Sequence, residues 1–149
     1  MSYKMKLIKS DNPKLTTPSK EVKNIKTAVK FGKGMLSFLA GTKSGVGLSA
    51  VQVGYMKKLF VVRYQGLNQI FINPEILGYS VDTDIMEEGC LTYPGQSNEI
   101  RRSISIEIRY TNDIGKSVTK IFTGFVARII QHEYDHLNGI SCMDKVMEE

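Results

Sequence analysis

Three features of the chain point to an α+β fold of mainly antiparallel strands packed around a C-terminal helix, with a separate amphipathic helix near the N-terminus. Apolar residues recur at helical spacing between residues 22 and 39, and short β-branched and aromatic runs fill the middle. A second helical pattern near the end carries the only two histidines of the sequence. Strands that do not alternate with helices argue against a doubly wound parallel sheet. The 149 residues are 42% hydrophobic and 23% charged, with no repeat, low-complexity tract or Pro/Gly/Ser-rich linker. Residues 1–149 are therefore expected to form a single domain that buries roughly 70% of the surface its unfolded chain exposes.

Thr17-Pro18 reads as a helix cap followed by proline at the first helical position. Val22, Ile25, Val29, Gly32, Leu36 and Leu39 then follow at three- and four-residue spacing, which predicts one helix ending near Gly41. Gly32 and Gly34 each cost such a helix about 1 kcal/mol relative to alanine, so a break or a close packing contact is expected there. Lys57–Tyr64, Gln69–Ile72, Ser103–Tyr110 and Ser117–Phe122 read as strands. Ile104, Ile106 and Ile108 alternate with Ser105, Glu107 and Arg109, the pattern of a strand with one buried face, and Asn112-Asp113-Ile114-Gly115 supplies a hairpin turn. The final helix is predicted from Gly124 to Asn138 and stops at Asn138-Gly139. At 100° per residue, Phe125, Ile129, His132 and His136 fall within about 60° of one another, with Arg128, Gln131, Asp135 and Asn138 on the opposite, solvent side.

No apolar run approaches the ~20 residues of a membrane span. The opening MSYKMKLIKSDNPK has charges every few residues and no apolar stretch of a secretory signal. A cytoplasmic protein is expected, with Cys90 and Cys142 as reduced thiols. The net charge of +5 is uneven: residues 1–34 hold nine lysines against Asp11 and Glu21, and residues 35–149 hold 11 basic and 13 acidic groups. The N-terminal lysines read either as the solvated side of a helix or as a weak contact with a polyanion, and no specific nucleic-acid recognition is expected.

His132-Glu133-Tyr134-Asp135-His136 is an HExxH motif on a predicted helix. One turn separates the two imidazoles, so both can reach one metal ion, with Glu133 placed as a general base. The alternative is a pair of core histidines satisfied by backbone groups. A catalytic metal takes three protein ligands and keeps one position open. After His136 only Asp144, Glu148 and Glu149 are available, whereas Cys90 offers a thiolate in a loop held by glycine and proline. Spacing alone leaves Cys90 as either that third ligand or a buried structural cysteine.

Gly45-Val46-Gly47-Leu48-Ser49-Ala50-Val51-Gln52, Glu88-Gly89-Cys90-Leu91-Thr92 and Gln131-His132-Glu133-Tyr134-Asp135-His136 together resemble the peptide deformylases, whose motifs GxGLAAxQ, EGCLS and QHExDH come in that order and at similar spacing. Ser49 and Thr92 depart from the pattern, standing where it has alanine and serine. Thirteen residues follow His136, so the chain resembles the short, phage-encoded members that lack the ribosome-docking C-terminal helix of many bacterial ones. The resemblance implies Cys90, His132 and His136 as ligands of one divalent ion, Fe(II) in the cell, replaceable by nickel, cobalt or zinc. It implies hydrolysis of the formamide of an N-formyl-methionyl peptide, with Glu133 moving the proton. The Gln52 amide and the Leu91 N–H are implied as donors to the oxyanion, and the backbone of Gly45, Val46 and Gly47 as the edge that pairs with the peptide.

Without the resemblance, Gln52 also admits the reading of a loop-closing hydrogen-bond residue. Phe125, Ile129 and Met86 read as walls of a methionine pocket or as plain core. Glu88 and Arg102 read as a pair steadying the Cys90 loop or as a surface ion pair. Two other functions remain in view: an HExxH peptidase cleaving internal bonds, for which Cys90 would be dispensable, and a non-catalytic metal-binding module acting through its lysine-rich helix. A membrane partner is not expected. A weak ribosome contact through residues 4–33 is the expected substitute for the absent C-terminal helix.

Overall fold

A computed structural model of the chain describes residues 5–145. A five-stranded sheet is built from β1 (Gly47–Ser49), β2 (Leu59–Tyr64), β3 (Leu67–Tyr79), β6 (Ser105–Thr111) and β7 (Ser117–Thr123), in that spatial order. Every neighbouring pair is antiparallel. A separate antiparallel hairpin pairs β4 (Thr83–Cys90) with β5 (Tyr93–Ser103). Helices α1 (Ile25–Ala40) and α2 (Gly124–Leu137) complete the α+β architecture.

The run Leu59-Phe60-Val61-Val62 explains how one sheet serves two helices. Side chains alternate across a strand. Leu59 and Val61, with Ile70 and Ile72 from β3, pack against Ala28, Met35 and Leu39 of α1. Phe60, Val62 and Phe71 point the other way and pack with Ile106, Ile108 and Tyr110 against Ala127, Ile129 and Ile130 of α2. The four residues of this run are fully buried.

The predicted first helix is too long at its start. Pro13–Thr16 is a 3-10 turn capped by Asn12, and residues after it run extended. Lys20 bridges to Lys57, and the main chain of Val22 is held by the Asn73 side chain, which accepts from its N–H at 2.7 Å and donates to its carbonyl at 2.9 Å. These partners outbid the helical spacing, and α1 begins after Asn24, whose side chain accepts from Thr27 N–H at 3.1 Å. Gly32 proves to be a packing contact, because a Cβ there would lie 2.9 Å from Ile70 Cγ2.

Among the strands, β3 runs on past Asn73-Pro74 through two register shifts, beyond the predicted end at Ile72. Ile104 falls between β5 and β6 and is exposed, while Ile106 and Ile108 are buried as predicted. Strands β4 and much of β5 have no β-rich signature; partner pairing over eight residues of β4 supplies what their sequences lack. The hairpin turn after Thr111 forms as read, with Asn112 Oδ1 accepting from Ile114 and Lys116 N–H. The stop at Gly139 forms too, with φ of 76° and Thr16 main-chain atoms 2.8 Å from where a Cβ would stand.

The hairpin also overturns the expected faces of α2. Arg128 and Gln131, expected in solvent, are buried beneath β4 and β5. Phe125, expected inside, is 37% exposed and packs against Tyr64 with the rings tilted and their centroids 5.0 Å apart.

Candidate active site

A cavity of about 540 Å³ opens where β1, the β4–β5 hairpin and α2 meet. Gly45, Val46, Gly47 and Gln52 line it together with Cys90, Leu91, Phe125, Ile129, His132 and Glu133. Met86 does not: it sits on β4 opposite Ile100, 39% exposed, and takes no part in the wall. Cys90 ends β4 as part of a hairpin, next to an irregularity at Gly89, and is not in the loop read from the sequence.

Cys90 Sγ and ring nitrogens of His132 and His136 all lie within 4.8 Å of one another, with Sγ to His136 Nε2 at 3.3 Å. A thiolate with two imidazoles suits a borderline-soft divalent ion. The surroundings fit the same ion. His132 Nδ1 is 3.0 Å from Glu88 Oε1, which leaves Nε2 as its free ligand atom. Burial works to keep His132 neutral, but the charge of Glu133 and hydrogen bonds with Cys90 and Glu88 prevail and raise its pKa to about 10. Burial and the nearby His132 and Arg102 charges hold His136 down at about 3, in the neutral form that binds metal. Asp144 does not belong to this set; its carboxylate accepts from Ser141 N–H at 3.0 Å. Glu148 and Glu149 lie outside the described residues.

Glu88 is the centre of a buried network. Arg102 donates to it twice, at 2.6 and 2.8 Å, and Arg128 donates a third bond. Arg102 also reaches Asp135 at 2.9 Å, and Arg128 reaches Asp84 Oδ1 at 2.8 Å and the Ile100 carbonyl at 3.1 Å. Burial alone would raise the pKa of Glu88, yet hydrogen bonds from His132 and Arg102 hold it at about 2. The Glu88–Arg102 pair is thus a buried clamp behind His132. Arg128 was hidden from sequence reasoning by its apparent place on the wet face of α2.

On the other wall, Gln52 belongs to a 3-10 turn, Ala50–Val53, that starts at Ser49. Its Oε1 accepts from Ser49 N–H at 2.8 Å, and its Nε2 donates to Thr92 Oγ1 at 3.0 Å and to Cys90 Sγ at 3.4 Å. Glu133 is buried, which raises its pKa, while His132 and a hydrogen bond from Ser49 act against the rise. Its Oε2 is 3.9 Å from His132 Nε2. A Cβ on Gly47 would stand 2.7 Å from that oxygen, so only glycine lets β1 run this close to the carboxylate. A hydrogen-bond donor, a buried carboxylate, the Cys90 sulfur and the His132 imidazole therefore face one cavity.

Residues 4–149 match the family profile described as polypeptide deformylase. A peptide deformylase of Prochlorococcus marinus (strain NATL2A) is 38% identical over 151 residues, which cover 97% of this chain and 74% of that protein. The crystal structure of peptide deformylase from Thermotoga maritima superposes with a TM-score of 0.93 at 34% identity, over 99% of this chain and all of the other. A probable peptide deformylase from Synechococcus phage S-SSM7 gives 0.89 at 31% identity, over 95% and 99% of the two chains. Matched along nearly its whole length, this chain belongs to the polypeptide deformylase family and is a hydrolase that removes the N-formyl group from nascent polypeptides.

Proposed function

We propose that residues 1–149 work as one catalytic domain in the cytoplasm, and that Cys90, His132 and His136 hold its metal ion, Fe(II). The observation that carries the assignment is the cluster of these three donor groups within 4.8 Å of one another, beside a cavity that Cys90, His132, Glu133 and Gln52 line. A divalent ion supplies Lewis acidity there, making water a nucleophile near neutral pH and polarising a carbonyl. Glu133 takes the proton of the attacking water and returns it to the nitrogen of the leaving amine. The two hydrogens on Gln52 Nε2 go to Thr92 Oγ1 at 3.0 Å and to Cys90 Sγ at 3.4 Å; the second, longer bond is the weaker, and its hydrogen is the one that turns to the oxyanion beside the Leu91 N–H.

The peptide lies along Gly45, Val46 and Gly47, since β1 is an edge strand of its sheet and can accept a further strand. The methionine side chain enters between Phe125 and Ile129. Lysines 14, 20, 23, 26, 30 and 33 are exposed, and a backbone bridge sets Lys20 beside Lys57. This basic side makes a weak contact with the ribosome. Salt-sensitive cosedimentation with ribosomes is the expected result, and its absence at low salt removes the contact.

The assignment is tested by formate release from a formyl-Met tripeptide, with protein purified anaerobically and loaded with Fe(II). The parent should turn over; Glu133→Ala should bind metal without turnover, and Cys90→Ala should fail to retain metal. Turnover that survives Cys90→Ala would reject Cys90 as a ligand.

A further inference from the structure

Ser49 stands where the motif pattern has alanine, and it is completely buried. A buried hydroxyl must find a partner, and this one meets two on the same residue: Glu133 Oε1 at 2.9 Å and the Glu133 carbonyl oxygen at 2.8 Å. It has a single hydrogen to give. The carbonyl belongs to the hydrogen-bond ladder of α2, whereas an ionised carboxylate is the stronger acceptor. When Glu133 is ionised, as a base must be to take a proton, the hydrogen goes to Oε1. The other oxygen, Oε2, is the one that lies 3.9 Å from His132 Nε2 and against the bare Cα of Gly47.

We infer that Ser49 is a positioning residue for the deformylation reaction: by holding Oε1 it fixes the carboxylate of Glu133 so that Oε2 carries the proton. The inference rests on the reading of Glu133 as the base. In the first step an O–H bond of water breaks, its proton goes to Oε2 and the oxygen bonds to the formyl carbon. In the second the C–N bond breaks and Oε2 returns the proton to the amine nitrogen, giving formate and a free N-terminus. The same residue also holds the oxyanion donor, since its N–H binds Gln52 Oε1 at 2.8 Å. Ser49 thus ties the proton carrier and the hydrogen-bond donor to one point of β1. Replacing it by alanine removes the first tie and leaves the second.

The test compares Ser49→Ala and Glu133→Ala with the parent as metal-loaded enzymes on a formyl-Met tripeptide. For Ser49→Ala the expected result is unchanged metal content, unchanged KM and kcat lower by about tenfold. A kcat within twofold of the parent, while Glu133→Ala is inactive, overturns the role of Ser49 and leaves the base in place. A raised KM or lost metal also overturns it, because the residue would then be structural. Turnover by Glu133→Ala overturns the base itself. A second readout needs no turnover: urea unfolding of the parent, both single variants and the double variant should be non-additive, since each change removes the same bond. Additive losses overturn the hydrogen bond.

Discussion

Gln52 gives the sharpest test at the level of a residue. Thr92 and Ser49 hold its amide at both ends, so its geometry does not depend on substrate. Gln52→Leu should keep fold and metal and lower kcat about 100- to 1,000-fold, the usual loss for one oxyanion donor; kinetics near those of the parent would remove it from the mechanism. The two thiols should also separate. Cys142 is buried, and that burial, with the charges of Cys90 and Glu88 adding to it, pushes its thiol up to about 12. Iodoacetamide on the folded, metal-free protein should therefore label Cys90 and spare Cys142 until unfolding, as read by mass spectrometry. The identities of Gln52, Cys90, His132, Glu133 and His136 were legible because each sits in a short motif. The hydroxyls of Ser49 and Thr92 were legible only as departures from one, since nothing local shows that one faces Glu133 and the other Gln52.

Helix α2 and the β4–β5 hairpin act as a pair at the level of elements. The helix brings His132 and Glu133, the hairpin brings Cys90, and Glu88 joins the two through Arg102, Arg128 and His132. Because Glu88 has its pKa lowered from 4.5 to about 2, the stability it contributes is complete above the higher value and is lost as pH falls toward the lower one. In urea unfolding of metal-free protein, Glu88→Gln should be less stable than the parent at pH 6 by several kcal/mol, the cost of leaving two buried arginines without their partner. That gap should close between pH 4.5 and pH 2; a gap constant with pH would contradict the clamp. The histidine face of α2 could be read from spacing because inward residues repeat at helical intervals. The burial of Arg128 and Gln131 could not, since a charged stripe signals water only when no other element lies over it.

For the whole molecule, the cavity exists because the five-stranded sheet carries α2 on one face and ends in the short edge strand β1 beside the hairpin. A thiolate next to Fe(II) in a cavity open to solvent is exposed to oxidation. Activity of the Fe(II) form should decay in air and that of the nickel form should persist, followed as formate release over hours. A zinc form equally active and equally durable would contradict Fe(II) as the working ion.

From the sequence alone came the α+β class, the two helices, the buried strands and the HExxH pair, which rest on local spacing, periodicity and residue chemistry that a linear chain displays; the parts of Cys90, Gln52 and Leu91 came from the resemblance of the three motifs to a known family. The start of α1, the extent of β3, the hairpin of β4 and β5, the inward turn of Arg128 and the hold of Ser49 on Glu133 were decided by tertiary structure. In every one of these the deciding partner is distant along the chain: Asn73 for Val22, β5 for β4, Glu88 for Arg128, and Glu133 for Ser49. Local propensities differ by about 1 kcal/mol per residue, and a buried hydrogen bond or ion pair to a distant segment is worth as much or more, so the fold overrules the local preference wherever such a partner is in reach.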